Sequence, residues 1–217
     1  MGSTRAASDG LQLLQLLWGA HDKAVQLRTA YATELSKYGN GNLQLTMSSD
    51  SSRIFYNMTS LQLATDENSR RDFREALVRE LEGGNLLREE KMYVLDGLVT
   101  DGLISGDPAI RDHLDEWSLH ALSLGPESPT LLGSRGAVLV ELGRYEAGKA
   151  LLEPLVAADQ GESFDSLMSQ AFLARAERAL GDREAARRLA NAARRTSNAL
   201  QATPRITAML SRLEAEK

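Results

Sequence analysis

Apolar residues recur along this chain at spacings of three and four, broken at short intervals by glycine, proline or asparagine. That period belongs to amphipathic helices, since strands alternate apolar and polar residues. The clearest unit covers residues 129–160. Gly136 stands where two paired helices must approach closely, Gly143 and Arg144 make a turn, and Tyr145 opens a second helix with Leu151, Leu152, Leu155 and Val156 on its apolar face. A hairpin this small cannot bury its apolar faces alone and needs stacked neighbours.

The rest of the chain supplies them. Ser8 or Asp9 caps a first helix through Leu11, Leu14 and Leu17 to Trp18. A second helix carries Ala24, Leu27, Tyr31, Leu35 and Tyr38, and Gly39-Asn40-Gly41-Asn42 ends it. Asp50 starts a helix with Ile54, Phe55, Met58 and Leu61 on one face. Asp66 or Asn68 starts the next, with Phe73, Leu77, Val78 and Leu81 inward and Gly83-Gly84 at its end. Another carries Met92, Leu95, Leu98, Val99 and Leu103, after which Asp107 caps and Pro108 opens a helix with Ile110, Leu114, Trp117 and Ala121. Residues 164–180 and 183–198 form a hairpin that turns at Gly181-Asp182. Pro204 opens a final helix whose stripe of Ile206, Met209, Leu210 and Leu213 suits a cap over that hairpin.

Composition narrows the classes. The absence of cysteine excludes disulfides and thiolate chemistry. No run reaches the roughly 20 apolar residues of a membrane helix, so no membrane insertion by this chain is expected. The opening MGSTRAASDG lacks the apolar core of a signal peptide, and a cytoplasmic location is expected. The net charge of −5 is uneven: residues 167–217 carry +5, so the remainder carries −10. The basic end can attract an acidic protein or peptide partner, or the acidic front of a second copy, which allows a homo-oligomer. The same arginines can equally serve to solvate helix surfaces. Few aromatics and overall acidity argue against nucleic acid.

Candidate chemistry is sparse. His113, Glu116 and His120 share one helical face, but the two histidines lie about two turns apart, too far for one zinc ion. No Gly-rich phosphate loop and no G-x-S-x-G elbow occurs. No cofactor, metal site or catalytic residue is expected.

The hairpin of residues 129–160 recurs. Leu142-Gly143 aligns with Leu180-Gly181, Glu146-Ala147 with Glu184-Ala185, and Leu151 with Leu189, a period of 38 residues. Gly106 marks the turn of a looser copy 37 residues before Gly143. This pattern resembles the tetratricopeptide repeat, whose usual period is about 34. Gly136, Gly143 and Tyr145 match the family's packing glycine, turn glycine and turn tyrosine, and Ala121-Leu122 with Pro126 match the close of a preceding unit. Leu132, Leu139 and Gly148 stand where the family usually has Trp, Tyr and Ala.

The resemblance implies an all-α fold, a right-handed superhelix of antiparallel helix pairs closed by a terminal capping helix. The divisions expected are N-terminal helices over residues 1–42, a hairpin over 43–86, repeats over 87–200 and the cap over 201–217. It implies a non-catalytic protein–protein interaction module whose leading helices line a groove for a peptide or protein partner. The family's groove positions fall on Ala137, Val140 and Glu141 in the best copy, on Phe172, Arg175 and Arg178 in the last, and on Tyr93, Asp96 and Thr100 in the looser one. Arg175 and Arg178 share a helical face and can grip carboxylates.

A second resemblance lies at Ser8-Asp9-Gly10 and the Leu-rich run behind it, which is similar to the Asp-Gly segment of site-2-type intramembrane metalloproteases. It implies the soluble C-terminal regulatory or substrate-handling part of such a protein, with Asp9 lacking the H-E-x-x-H helix that completes a zinc site. A small helical enzyme with unnamed catalytic groups is the remaining class.

Overall fold

Helix starts in this chain are fixed by short polar side chains placed before apolar runs. Asp66 Oδ1 accepts from the Ser69 amide at 2.9 Å, Asp107 Oδ1 from Ala109 at 2.9 Å, Ser163 Oγ from Ser166 at 3.0 Å, and Asp182 Oδ1 from Ala185 at 2.9 Å. Each satisfies an amide that the helix itself leaves unpaired. The computed structural model describes residues 49–158 and 163–215, together with Val25, Gln26 and Thr29. The first expected helix, all of the second except Val25, Gln26 and Thr29, and the break at Gly39-Asn40-Gly41-Asn42 lie outside the described residues.

All regular secondary structure among the described residues is helical. It comprises α1 (Ser49–Leu63), α2 (Glu67–Glu82), α3 (Arg88–Ser105), α4 (Pro108–Leu124), α5 (Pro129–Glu141), α6 (Tyr145–Ala158), α7 (Phe164–Ala179), α8 (Arg183–Ala199) and α9 (Pro204–Ala215). Consecutive helices pair as α1/α2, α3/α4, α5/α6 and α7/α8, and α3, α5 and α7 pack side by side. From Tyr93 to Ile104 every residue of α3 is buried, and α7 is nearly as enclosed. Helices enclosed on all sides run through the middle of the molecule. Gly143 (φ +78°) and Gly181 (φ +97°) take the left-handed conformation that turns α5 into α6 and α7 into α8, so the 38-residue spacing marks equivalent turns.

The α5/α6 contact is closer than ordinary side chains permit. A Cβ on Gly136 would lie 2.7 Å from Leu152 Cγ, and one on Gly148 would lie 2.8 Å from the Gly136 carbonyl oxygen and 2.5 Å from Val140 Cγ2. Glycine is needed at 148 because the wall facing it includes backbone, the Gly136 carbonyl oxygen and the Val140 amide nitrogen, which cannot move aside.

Helix α9 departs from the expected cap. It touches α7 and α8, as its apolar stripe predicts, and it also reaches across to α3. Its arginines account for that reach. Arg205 Nη2 donates to Asp101 Oδ1 at 2.6 Å, and Arg212 donates to the Leu103 carbonyl at 2.7 Å and to Glu141 Oε1 at 3.2 Å. Asp101 is fully buried and is held from its other side by Arg74 of α2 at 2.8 Å. Glu141 is likewise held between Arg212 and Arg175, the latter at 2.6 Å.

Replacing Gly148 by Ala should cost about 1–3 kcal/mol, because a backbone oxygen cannot move aside as a side chain can. Urea unfolding monitored by circular dichroism reads the loss, and an unchanged midpoint would contradict the close approach. Asp101→Asn should cost about 3–5 kcal/mol, since it leaves Arg74 and Arg205 short of a carboxylate charge in a buried site. A loss below 1 kcal/mol in the same measurement would mean that the two guanidiniums are satisfied without it.

Candidate functional site

The nine positions carried over from the repeat groove separate into two groups. Tyr93, Asp96, Thr100 and Ala137 line one pocket, together with Ser134 of α5, Asp165 and Ser169 of α7, and Met58 of α1. The remaining five meet the chain itself. Val140 is fully buried and its Cγ2 faces Gly148, so it belongs to the α5/α6 contact. Phe172 is fully buried in the core that α9 completes. Glu141 and Arg175 are bonded to each other, with Arg212 of α9 on the same carboxylate. Arg178 Nη1 donates to the Leu213 and Glu214 carbonyls at 3.0 and 2.8 Å, satisfying carbonyls at the end of α9. Where an open groove is expected, α9 is seated.

The seat is both apolar and charged. Ile206, Met209, Leu210 and Leu213 are 0, 1, 6 and 2% exposed and join the core containing Val99, Leu103 and Phe172. Arg194 of α8 pairs with Glu214 and holds its carboxyl below the usual range. Five arginines of the basic end tie α9 in place or brace the carboxylates it uses, whereas Arg183, Arg187, Arg188 and Arg195 are exposed on the surface of α8.

The pocket beside α9 is acidic. Ser134 Oγ donates to Asp96 Oδ1 at 2.7 Å, and Thr130 Oγ1 donates to Asp165 Oδ2 at 2.8 Å. Asp96 is 91% buried and makes no ion pair. Burial pushes its pKa up to about 7, Ser134 pulls it down in part, and the nearby Asp165 carboxylate raises it further. Tyr93 is also raised, by burial and by Glu89. Among the described residues no basic side chain lines this pocket. Sequence reasoning named Asp96 as a groove position and missed Ser134 and Asp165. Their hydroxyl and carboxyl types carry no motif, and only the packing of α3, α5 and α7 brings them together.

A second concavity of about 930 Å³ lies between α2 and α4, floored by Val78, Leu81, Leu95 and Ile110. His113 stacks on Trp117 there with ring centroids 5.1 Å apart, and His120 lines the same cleft. Among the described residues no group of three His, Asp or Glu side chains is placed to hold a metal ion. No helix among them is long and apolar enough to cross a membrane. Asp9 and the segment similar to site-2-type proteases lie outside the described residues. No family model matches the chain, and no curated protein or solved structure matches it either.

Asp96 makes stability depend on pH with a definite sign. The folded carboxyl holds its proton up to about pH 7, whereas the unfolded one releases it near 3.8. Between those values the unfolded chain loses the proton first, so this group removes stability as pH rises, by at most about 1.4 kcal/mol per pH unit. Asp96→Asn should therefore gain on the wild type between pH 4.5 and 7.5 in urea titrations. A difference independent of pH would contradict the burial of an ionisable carboxyl there.

Proposed function

We propose that this chain is a non-catalytic protein-binding module of tetratricopeptide-like architecture, whose receiving face is formed by α3, α5 and α7 and is occupied by its own α9. The supporting observation is the way α9 is held. Ile206, Met209, Leu210 and Leu213 stand at i, i+3, i+4 and i+7 and are all buried, the anchor pattern by which amphipathic helices bind in grooves. Arg205 and Arg212 add charge-assisted contacts to Asp101 and Glu141. A face that accepts one amphipathic helix in this way has the shape and charge to accept another of the same pattern. The partner is then a protein helix with four such anchors and a basic residue beside the last, supplied by another protein or by the α9 of a second copy.

Binding from outside requires α9 to leave, so weakening its anchors should open the face. A fluorescent peptide with the sequence of residues 203–217 is the probe. It should bind the full-length Arg205→Ala/Arg212→Ala chain at least about tenfold more tightly than the wild type, because the peptide keeps the arginines that the variant has lost. Anisotropy titration reads the affinities, and circular dichroism checks that helix content is unchanged. Equal affinity for both folded chains would remove this face from the binding function.

A further inference from the structure

We propose that α9 is exchanged between two copies of this chain, so that each copy fills the receiving face of the other. The proposal rests on the reading of α9 as a replaceable occupant, and it commits the incoming helix to a second copy.

The turn that leads into α9 carries the argument. Three of the described helices end in the same way. After α5, the Gly143 amide donates to the Val140 carbonyl and the Arg144 amide to Leu139 at 2.8 Å. After α7, Gly181 donates to Arg178 and Asp182 to Glu177 at 2.9 Å. After α8, Gln201 donates to Asn198 and Ala202 to Ser197 at 3.0 Å. This pair of bonds goes with a left-handed residue just past the helix. The local sequences are Leu142-Gly143, Leu180-Gly181 and Leu200-Gln201, so two of the turns use glycine and the third does not. Gln201 has φ +50° and is the one non-glycine with positive φ among the described residues. A residue with a Cβ is disfavoured there by roughly tenfold. The fold thus closes two hairpins without strain and closes α9 onto its own body with strain.

The adjoining residues favour an open connection. Residues 200–203 join Ala199, the end of α8, to Pro204, the start of α9. The residue before a proline is biased toward extended backbone, which places that bias on Thr203. Straightening Gln201 as well turns the four residues into a connector of about 13 Å.

Nothing that holds α9 requires it to come from the same chain. Arg205 meets Asp101, Arg212 meets Leu103 and Glu141, and the end of the helix meets Arg178 and Arg194. All of these partners precede the turn, so a second copy offers the same set. Two chains that trade α9 keep every one of these contacts and release the strain at both turns. The pair closes on itself about a two-fold axis with both faces filled.

Concentration decides how much of the pair forms. A helix on a short connection competes for its own seat at an effective concentration on the order of millimolar, which sets the dissociation constant of a strain-free exchanged pair. Roughly tenfold relief at each of two turns lowers that constant about a hundredfold, to the order of 10 µM.

The test uses the full-length chain. Sedimentation equilibrium should find monomer and dimer in balance on the order of 10 µM. Gln201→Gly removes the strain of the closed turn and should weaken the dimer about a hundredfold. The chain has no cysteine, so Arg194→Cys/Glu214→Cys places one thiol on α8 and one on α9 at positions that meet. A short bis-maleimide should join two chains in the isolated dimer and react within one chain in the isolated monomer. A dimer that the reagent links only within chains would overturn the proposal. So would a dimer of unchanged strength in Gln201→Gly, or a wild-type chain still monomeric at millimolar concentration. A chain that stays monomeric, yet binds the peptide of residues 203–217 once its own anchors are weakened, loses this proposal and keeps the receiving face. A chain that does neither loses both.

Discussion

Two buried carboxylates, each held between two guanidinium groups, bind the last helix of this chain to its middle. Asp101 joins Arg74 of α2 to Arg205 of α9, and Glu141 joins Arg175 of α7 to Arg212 of α9. A carboxylate taken out of water is expensive, and its attraction to a cation offsets that only when the geometry is good and the remaining lone pairs are used. Here both oxygens of Asp101 are used, and Glu141 accepts from two side chains. The pairs therefore specify where α9 sits more than they raise stability. An apolar stripe alone would tolerate several registers over an apolar surface, whereas two fixed charges near opposite ends of a three-turn helix tolerate one.

The same contacts explain why α9 leaves the acidic pocket uncovered. Helix α9 approaches the C-terminal ends of the leading helices, where Leu103, Glu141 and Arg178 meet it. Asp96, Ser134 and Asp165 lie nearer the middle or start of α3, α5 and α7, and they face Met58 of α1. Which part of this face α9 fills thus follows from the placement of its arginines, since their partners fix how far along the leading helices it can sit.

Local signals in the sequence carried the helical architecture well. Asp107-Pro108, Gly143, Gly181 and Pro204 each mark a boundary through the chemistry of the residue itself, and the observed starts and turns fall on them. The close approach at Gly136 was legible too, while its partner Gly148 read only as a departure from a pattern. What the sequence could not carry was which neighbour each helical face meets. The carried-over groove positions group Val140 with Glu141 and Ala137, but the net turn of about 60° across the three residues from Ala137 to Val140 puts Val140 onto α6 and leaves Ala137 on the pocket. The ties that place α9 span 104 residues from Asp101 to Arg205 and 71 from Glu141 to Arg212, and no local pattern encodes contacts so distant. Arg175 and Arg178 read correctly as a pair sharing a face, but that face proved to be engaged by α9.

If α9 is a resident occupant of a receiving face, it must be able to leave while the rest of the core stays folded. Amide hydrogen exchange on the full-length chain measures this directly, because detachment of a helix as a unit gives its amides one common opening free energy below that of global unfolding. The prediction is that α9 exchanges together and faster than the buried amides of α5 and α7, and that Arg205→Ala/Arg212→Ala accelerates α9 selectively. Exchange of α9 at the same rate as α5 and α7, with the double variant accelerating all three alike, would show an integral core helix and would contradict a face built to exchange its occupant.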